Sequence, residues 1–244
     1  MIAKTEAIVL KTFDFRETSR IATFFSRDFG KVKGVLKGIR KDSRKFGSSL
    51  AKFSVNDIVY YQYRNSEIHL VSHCDMKEYF FALRQDLKKM TAASYVLELV
   101  DAIMPVEEPN DAVYELMLDF YKGLQTVSDV SKLIYIFQIK ALLYSGFRPH
   151  LDSCVQCQNP VARRARFSLK LGGLVCAHCQ PKMHESTPIS PGAIATLLHV
   201  EKSLWPQCLR LGMTTPIKRE LKFILNNFLV YHLERQLKSE RFIH

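Results

Sequence analysis

A chain of 244 residues is long enough for more than one small domain, since domains commonly contain about 100–150 residues. Its 47% hydrophobic and 24% charged residues match globular usage and exclude a chain that is disordered throughout. The formal net charge of +11 resides in residues 1–80 and 151–244, whereas residues 81–150 carry a slight acidic excess. This distribution favours a polyanionic partner, with nucleic acid ahead of an anionic membrane surface.

The sequence contains neither a recognisable membrane span nor a secretory signal. No stretch reaches the roughly 20 consecutive apolar residues that cross a bilayer. The N-terminal residues also lack the apolar core of a signal peptide. We therefore expect a cytoplasmic protein. Because cysteines in a reducing compartment rarely form a disulfide framework, we expect the six cysteines to bind metal or to be buried as thiols.

The first 80 residues contain five short segments that read as strands, the last two of them rich in β-branched and aromatic residues. The predicted strands are Glu6–Phe13, Arg20–Ser26, Lys31–Lys37, Asn56–Tyr63 and Glu67–His73. Five strands in so short a stretch predict a small closed barrel. Both an SH3-like barrel and an OB-type barrel fit this number, and periodicity does not choose between them.

Helical periodicity follows residue 80. Three successive apolar stripes predict three helices, the first stopped by Pro105 and the third ending at Gly146. The pattern breaks over residues 151–181 and returns with two further helices that open at Ser190-Pro191 and Thr215-Pro216. We therefore predict a helical domain with residues 151–181 as an inserted module.

The inserted module carries a paired cysteine pattern, C-x2-C-x18-C-x2-C, formed by Cys154, Cys157, Cys176 and Cys179. Two such pairs can converge on one tetrahedral zinc ion. The alternative is a set of buried or redox-active thiols, which seldom cluster in two such pairs. A site closed by four thiolates has no open position for water, so the pattern predicts one structural Zn²⁺ ion.

The densest charge lies in residues 31–45, where seven of fifteen residues are basic. Regular strand alternation would direct Lys33 and Lys37 to one face, with a basic loop following, an arrangement that suits a phosphate backbone. The alternative is an ordinary solvated strand and loop. Exposed aromatic residues nearby could stack on bases, and Phe13, Phe15, Tyr60, Tyr61 and Tyr63 are the candidates.

Catalytic motifs are missing from the sequence. There is no phosphate-binding GxxxxGK[ST] loop, no GxSxG elbow, no HExxH and no tight carboxylate cluster of nuclease type. The sequence therefore predicts a binding protein that is not an enzyme.

Four further stretches of the chain form a recognisable set. They comprise residues 5–10 with 16–19 (TEAIVL, RETS), 37–41 (KGIRK), 142–154 with 172–176 (LLYSGFRPHLDSC, GGLVC) and 231–239 (YHLERQLKS). In order and spacing, along almost the whole chain, they resemble the bacterial RecO family of DNA repair proteins and recombination mediators. The resemblance is therefore more specific than any one motif.

The resemblance implies an α+β multidomain protein. An N-terminal OB-fold β-barrel (1–80) precedes a C-terminal α-helical domain (81–150 and 182–244) with an inserted four-cysteine zinc-binding module (151–181). It implies binding of single- and double-stranded DNA, annealing of complementary strands and loading of recombinase onto DNA coated by single-stranded DNA-binding protein (SSB). The implied partners are the SSB C-terminal tail and RecR, and the implied location is the cytoplasm, in association with the nucleoid.

The resemblance, taken position by position, implies DNA contacts at Lys37, Arg40, Lys41 and Arg44, with Arg16 and Arg20 behind them. The basic run of residues 31–45 adds Lys33 and Lys45 as candidates. Lys132 and Lys140 are the basic residues nearest to the position where some members of the family pair with the carboxylate of the SSB tail. Two other hypotheses compete with a mediator: a zinc-ribbon RNA-binding or transcription-associated protein, and a metal-dependent nuclease.

Overall fold

The computed structural model describes residues 1–41, 46, 50–161, 165–180 and 186–243. The chain divides into two compact units, residues 1–126 and residues 127–242. Among the helices in the described ranges, none is both long and apolar enough to cross a bilayer.

Five strands form a closed barrel in the first unit. They are β1 (Ile2–Phe15), β2 (Ser19–Ser26), β3 (Gly30–Leu36), β4 (Ser54–Tyr61) and β5 (Ile68–Tyr79). The barrel order is β1-β2-β3-β5-β4, with β4 closing onto β1; β3 and β5 pair in parallel and the other neighbours are antiparallel. This order is that of an OB-type barrel and confirms the predicted fold class. The five predicted strands are present, although β1 and β5 are longer than expected.

Alternation of small and large apolar residues fills the barrel. Along β3, Val32 and Leu36 point inward with Gly34 between them, while the intervening residues are partly exposed. The connection from β3 to β4 contributes Ile39, Phe46 and Leu50 to the same core. Burying a large apolar side chain stabilises a fold by about 1.5–3 kcal/mol. These three residues therefore stabilise the barrel core, although sequence alone predicts a basic loop here.

Two helices accompany the barrel in the first unit, α1 (Leu87–Ile103) and α2 (Asp111–Thr126). The side chain of Asp86 caps α1 by accepting from the backbone N–H groups of Lys88 and Lys89. Between the helices the chain lies against β3, where the Glu107 N–H donates to the Lys31 carbonyl at 3.1 Å. Gly30 has a φ of +64°, and a Cβ atom there would lie 2.1 Å from the Glu108 carbonyl oxygen. Glycine is therefore required at this position.

A partly buried carboxylate network joins α2 to the barrel. The Tyr114 hydroxyl donates to Glu6 Oε1 at 3.1 Å, Arg27 lies 3.5 Å from the same oxygen, and Lys77 donates to Oε2. Arg27 also pairs with Asp111 of α2 at 2.8 Å and lies over the Tyr114 ring. Burial alone raises the pKa of Glu6, but the hydrogen bonds from Lys77 and Tyr114 outweigh it and lower this pKa below its ordinary value.

The second unit contains α3 (Val130–Tyr144), α4 (Pro191–Lys202), α5 (Trp205–Arg210) and α6 (Thr215–Leu233). Helix α3 packs against α4 and α6. Ser190 caps α4 by accepting from the Ala193 N–H at 3.2 Å, with Pro191 at the first helical position as predicted. Three short strands, β6 (Ala165–Ser168), β7 (Gly173–Cys176) and β8 (Thr187–Ile189), form a sheet in the order β7-β6-β8. Neither this sheet nor α5 was predicted.

We expect Glu6→Gln to destabilise the protein by about 1–2 kcal/mol at neutral pH, because a partly buried network loses the negative charge of its acceptor and gains an amide N–H₂ donor opposite Lys77 or Arg27. The folded-state pKa lies below the unfolded value of about 4.3, so the ionised carboxylate stabilises the fold above that value and this contribution disappears as the pH falls through the folded pKa. Urea unfolding of both proteins across this range measures the effect. The difference between them should shrink in acid; a constant difference would contradict the assignment. Glu17→Gln, at an exposed glutamate of the same unit, is the control.

Candidate metal centre and nucleic-acid interface

The four cysteines of the paired pattern come together at one end of the small sheet. Their sulfur atoms all lie within 4.8 Å of one another. The Cys157 and Cys176 sulfurs are 3.7 Å apart. A tetrahedral zinc ion with Zn–S bonds of about 2.3 Å requires sulfur separations of about 3.8 Å. The cluster therefore fits a single metal ion bound by four thiolates.

Local backbone geometry makes each cysteine pair a compact turn. The Gln158 N–H donates to the Cys154 carbonyl at 2.8 Å, and Gln158 takes a left-handed φ of +59° that reverses the chain. The Cys179 N–H donates to the Cys176 carbonyl at 3.2 Å. The first pair is joined to β7, since the Val155 N–H donates to the Leu174 carbonyl at 2.8 Å.

Backbone donors surround the Cys154 sulfur. Burial alone raises the pKa of this thiol, but N–H groups of Cys176, Cys157 and Gln156 outweigh it and lower the pKa to about 6. The Cys176 N–H lies 3.4 Å from the sulfur. Donors of this kind stabilise a thiolate, which is the form that binds metal. Cys74 and Cys208 are also buried but are not part of this cluster.

Three predicted DNA-contact arginines meet at the end of the β1–β2 hairpin. Arg20 Nε lies 2.8 Å from Asp14 Oδ1, and Arg40 lies 3.8 Å from Asp14 Oδ2. Arg40 also donates to the Arg16 carbonyl at 3.5 Å. The hydrogen bond from Arg20 lowers the pKa of the Asp14 carboxyl, because it outweighs the smaller, opposing effect of desolvation. We call Arg16, Arg20, Lys37, Arg40 and Lys41 the basic hairpin end.

The predicted contacts other than these three arginines lie on β3 and in the segment that follows it. Lys37 and Lys41 are exposed in the turn that follows β3. Lys33 projects outward from β3 and pairs with Glu67 at 3.0 Å. Arg44 and Lys45 lie outside the described residues.

Aromatic side chains extend the basic hairpin end. Phe13 and Phe15 are exposed on β1 and flank Asp14. The Arg16 guanidinium lies 5.1 Å from the centre of the Phe15 ring. Tyr60 is different: it is buried in the barrel and stacks on His69, so it is not available to a ligand. Sequence alternation did not distinguish this buried tyrosine from its exposed neighbours.

The two lysines predicted for the SSB tail both bind backbone carbonyls within the second unit. Lys132 Nζ donates to the Leu209 carbonyl at 2.7 Å, near the end of α5. Lys140 Nζ donates to the Ser203 carbonyl at 2.5 Å and the Glu201 carbonyl at 3.2 Å, at the end of α4. Ammonium groups here complement the negative ends of two helices. Their assignment to the SSB tail stays a prediction.

The fold and site together define a class of protein: an OB-fold barrel joined to a helical region that carries a four-cysteine module. Family models described as the N terminal and C terminal of recombination protein O match residues 1–80 and 84–241 respectively. The chain belongs to the RecO family.

Individual relatives agree along nearly their whole length. The DNA repair protein RecO of Pelotomaculum thermopropionicum is 34% identical, over 98% of this chain and 93% of the relative. That of Syntrophus aciditrophicus is 31% identical, over 97% and 93%. That of Anaeromyxobacter dehalogenans is 29% identical, over 99% and 95%.

We expect Lys140→Met to destabilise the protein by about 2 kcal/mol, because two buried carbonyls at the end of α4 lose a charged donor. Burial lowers the pKa of the Lys140 amine, because removing its charged form from water costs free energy. The hydrogen bonds to the two carbonyls offset part of this cost. Thermal and urea unfolding measure the loss. Lys202→Met, at an exposed lysine of α4, should change stability by no more than about 0.5 kcal/mol. Equal stability of the two variants would contradict the capping role.

Proposed function

We propose that the protein is a DNA repair and recombination mediator that binds single- and double-stranded DNA through the basic hairpin end. The observation that carries the proposal is the pairing of Arg20 and Arg40 with one carboxylate at the end of a hairpin on an OB-type barrel, where Arg16 lies against the exposed Phe15 ring. Cations that neutralise phosphates and rings that stack on bases are the two elements of sequence-tolerant strand binding. The names of its relatives support a role in DNA repair.

Annealing of complementary strands is the activity that this arrangement favours. Two DNA strands repel each other through their phosphates, and a surface that neutralises those phosphates reduces the repulsion. Annealing proceeds by base pairing and requires no catalytic group on the protein. We propose that the protein anneals complementary strands and helps to load recombinase onto SSB-coated single-stranded DNA, with the SSB tail and RecR as partners.

We propose that the cysteine cluster binds one structural Zn²⁺ ion. Its four sulfur donors and their separations support zinc over harder cations, which prefer oxygen ligands. Bound there, the ion would fix the two cysteine turns against β7.

We also propose that the functional domains are residues 1–80, residues 81–150 with 182–244, and the zinc module at 151–181. The two family matches, which end at residue 80 and begin at residue 84, support the first boundary. The DNA repair role of the relatives supports a place in the cytoplasm near the nucleoid.

Annealing of complementary oligonucleotides, with and without SSB, tests the proposed function. We expect the protein to accelerate annealing in both conditions and to leave the strands uncut in magnesium. No acceleration would refute the mediator, and a marked preference for RNA would favour an RNA-binding protein instead.

Removal of cations from the basic hairpin end should weaken DNA binding regardless of sequence. For Lys37→Gln with Arg40→Gln and Lys41→Gln, we expect affinity to fall about tenfold or more, and the slope of log affinity against log salt to flatten by about 2. A salt titration by fluorescence anisotropy measures both. Arg64→Gln with Lys88→Gln and Lys122→Gln removes equal charge from exposed positions of the same unit and is the matched control. Equal losses in the two triple variants would argue against a localised site.

Loss of one metal ligand should remove zinc and destabilise the second unit first. The wild-type protein should contain one zinc per chain by elemental analysis, whereas Cys176→Ser should contain none and should unfold at lower temperature. Cys208→Ala, at a buried cysteine outside the cluster, should keep its zinc. DNA affinity measured while the variant remains folded should change little. A metal-free wild-type protein purified without chelator would refute the zinc site.

A further inference from the structure

A groove of about 730 Å³ opens at the C-terminal end of the second unit. Its lining residues are Lys222, Gln236, Leu237, Lys238, Glu240 and Arg241. Lys222 comes from α6, and the others come from the segment that follows this helix. The groove shares no residue with the basic hairpin end, which belongs to the first unit.

A chain reversal after α6 builds the groove. Glu234 takes a left-handed φ of +53° at the end of the helix. Leu237 is then buried and anchors the returning segment. A short 3-10 turn follows, in which the Glu240 N–H donates to the Leu237 carbonyl at 3.2 Å. The turn brings Lys238 and Arg241 to the same groove as Lys222.

Side-chain amides hold this turn in place. Asn226 of α6 donates to Glu240 Oε1 at 2.7 Å. The buried Gln138 of α3 donates in turn to Asn226 Oδ1 at 3.1 Å. The carboxylate that lines the groove is thus fixed by α6, and the groove is a preformed feature.

The charge of the groove is positive. Lys222, Lys238 and Arg241 outnumber Glu240, and in the part of the chain that the structure describes neither Lys222 nor Arg241 forms an ion pair with a carboxylate. From residue 211 to residue 243 there are six basic and three acidic residues: Lys218, Arg219, Lys222, Arg235, Lys238 and Arg241 against Glu220, Glu234 and Glu240. The surface therefore suits an anionic ligand.

Two exposed phenylalanine rings adjoin these cations in the sequence. Phe223 follows Lys222 and is 52% exposed, and Phe242 follows Arg241 and is 56% exposed. The Arg241 guanidinium lies 4.7 Å from the centre of the Phe242 ring. An acidic peptide would satisfy the cations alone. Arg241 lines the groove and lies against the Phe242 ring, so one exposed ring stands next to the cations of the groove. A cation beside an exposed ring favours a nucleic-acid strand, whose phosphates and bases satisfy both.

We infer that this C-terminal groove binds a second nucleic-acid strand through its phosphates, independently of the basic hairpin end. The inference rests on the proposed function, because a protein that engages two strands at once would hold them together for annealing. The groove provides a second, separate cationic surface for that purpose. It also accounts for the basic character of the C-terminal third of the chain.

Stoichiometry tests the inference in the full-length protein. An oligodeoxythymidine of about 15 nucleotides fills one OB-fold site, so the wild-type chain should bind two such strands at low salt. Lys222→Gln with Lys238→Gln and Arg241→Gln should bind one, and should anneal complementary strands about tenfold more slowly. Lys170→Gln with Lys202→Gln and Arg210→Gln removes equal charge from exposed positions of the same unit and should behave as wild type.

Photocrosslinking provides a second measurement that does not depend on a variant. Oligonucleotides that contain 5-iododeoxyuridine should crosslink to the wild-type peptides that contain Phe223 or Phe242. One bound strand per wild-type chain, or equal losses in the two triple variants, would overturn the inference and leave the barrel site intact. Binding of polyglutamate that the groove triple variant loses, with no crosslink from the oligonucleotide to these peptides, would also overturn it, in favour of a peptide site. A wild-type protein that binds no strand would refute the proposed function itself.

Discussion

Closure of the barrel through β1 is the constraint on which the first unit depends. The N-terminal half of this strand pairs with β4 and its C-terminal half with β2, with a register shift between Val9 and Lys11. The two halves of β1 thus serve different neighbours, and the bulge allows the strand to bend between them. Beyond the bulge, β1 continues to Phe15, past the part that pairs with β4. The projecting hairpin end carries the exposed aromatic residues and is joined directly to Arg16.

Much of this fold could be predicted because its signals are local. Alternating apolar residues predicted the five strands, and two cysteine pairs with fixed spacing predicted the sulfur cluster from Cys154 to Cys179. The parallel pairing of β3 with β5, in which Gly34 lies opposite His69, distinguishes the OB-type barrel from an SH3-like barrel. Such pairing joins residues far apart in sequence, and periodicity contains no information about it. Strands as short as β8 also give too little alternation to recognise.

Basic residues were the hardest to interpret from sequence, because the same type of side chain can make a structural contact inside the protein or be exposed to a ligand. Lys140 looks like an exposed charge in a helical stripe, yet it is buried and binds carbonyls at the end of α4. Arg27 is committed to the network around Glu6. By contrast, Lys37 and Lys222 point to solvent or into an open groove. A count of basic residues therefore overestimates the number of cations available to a polyanion. The contacts that each basic side chain makes within the protein show which of them are available.

Asp14 gives the basic hairpin end a further property. Its carboxylate pairs with both Arg20 and Arg40. Exposed ion pairs of this kind contribute little stability, about 0–1 kcal/mol. At the proposed DNA site, a phosphate would therefore replace one anion by another at small energetic cost. Asp14 would then act as a resident counterion for the two arginines, and capture of a strand would be an exchange of anions.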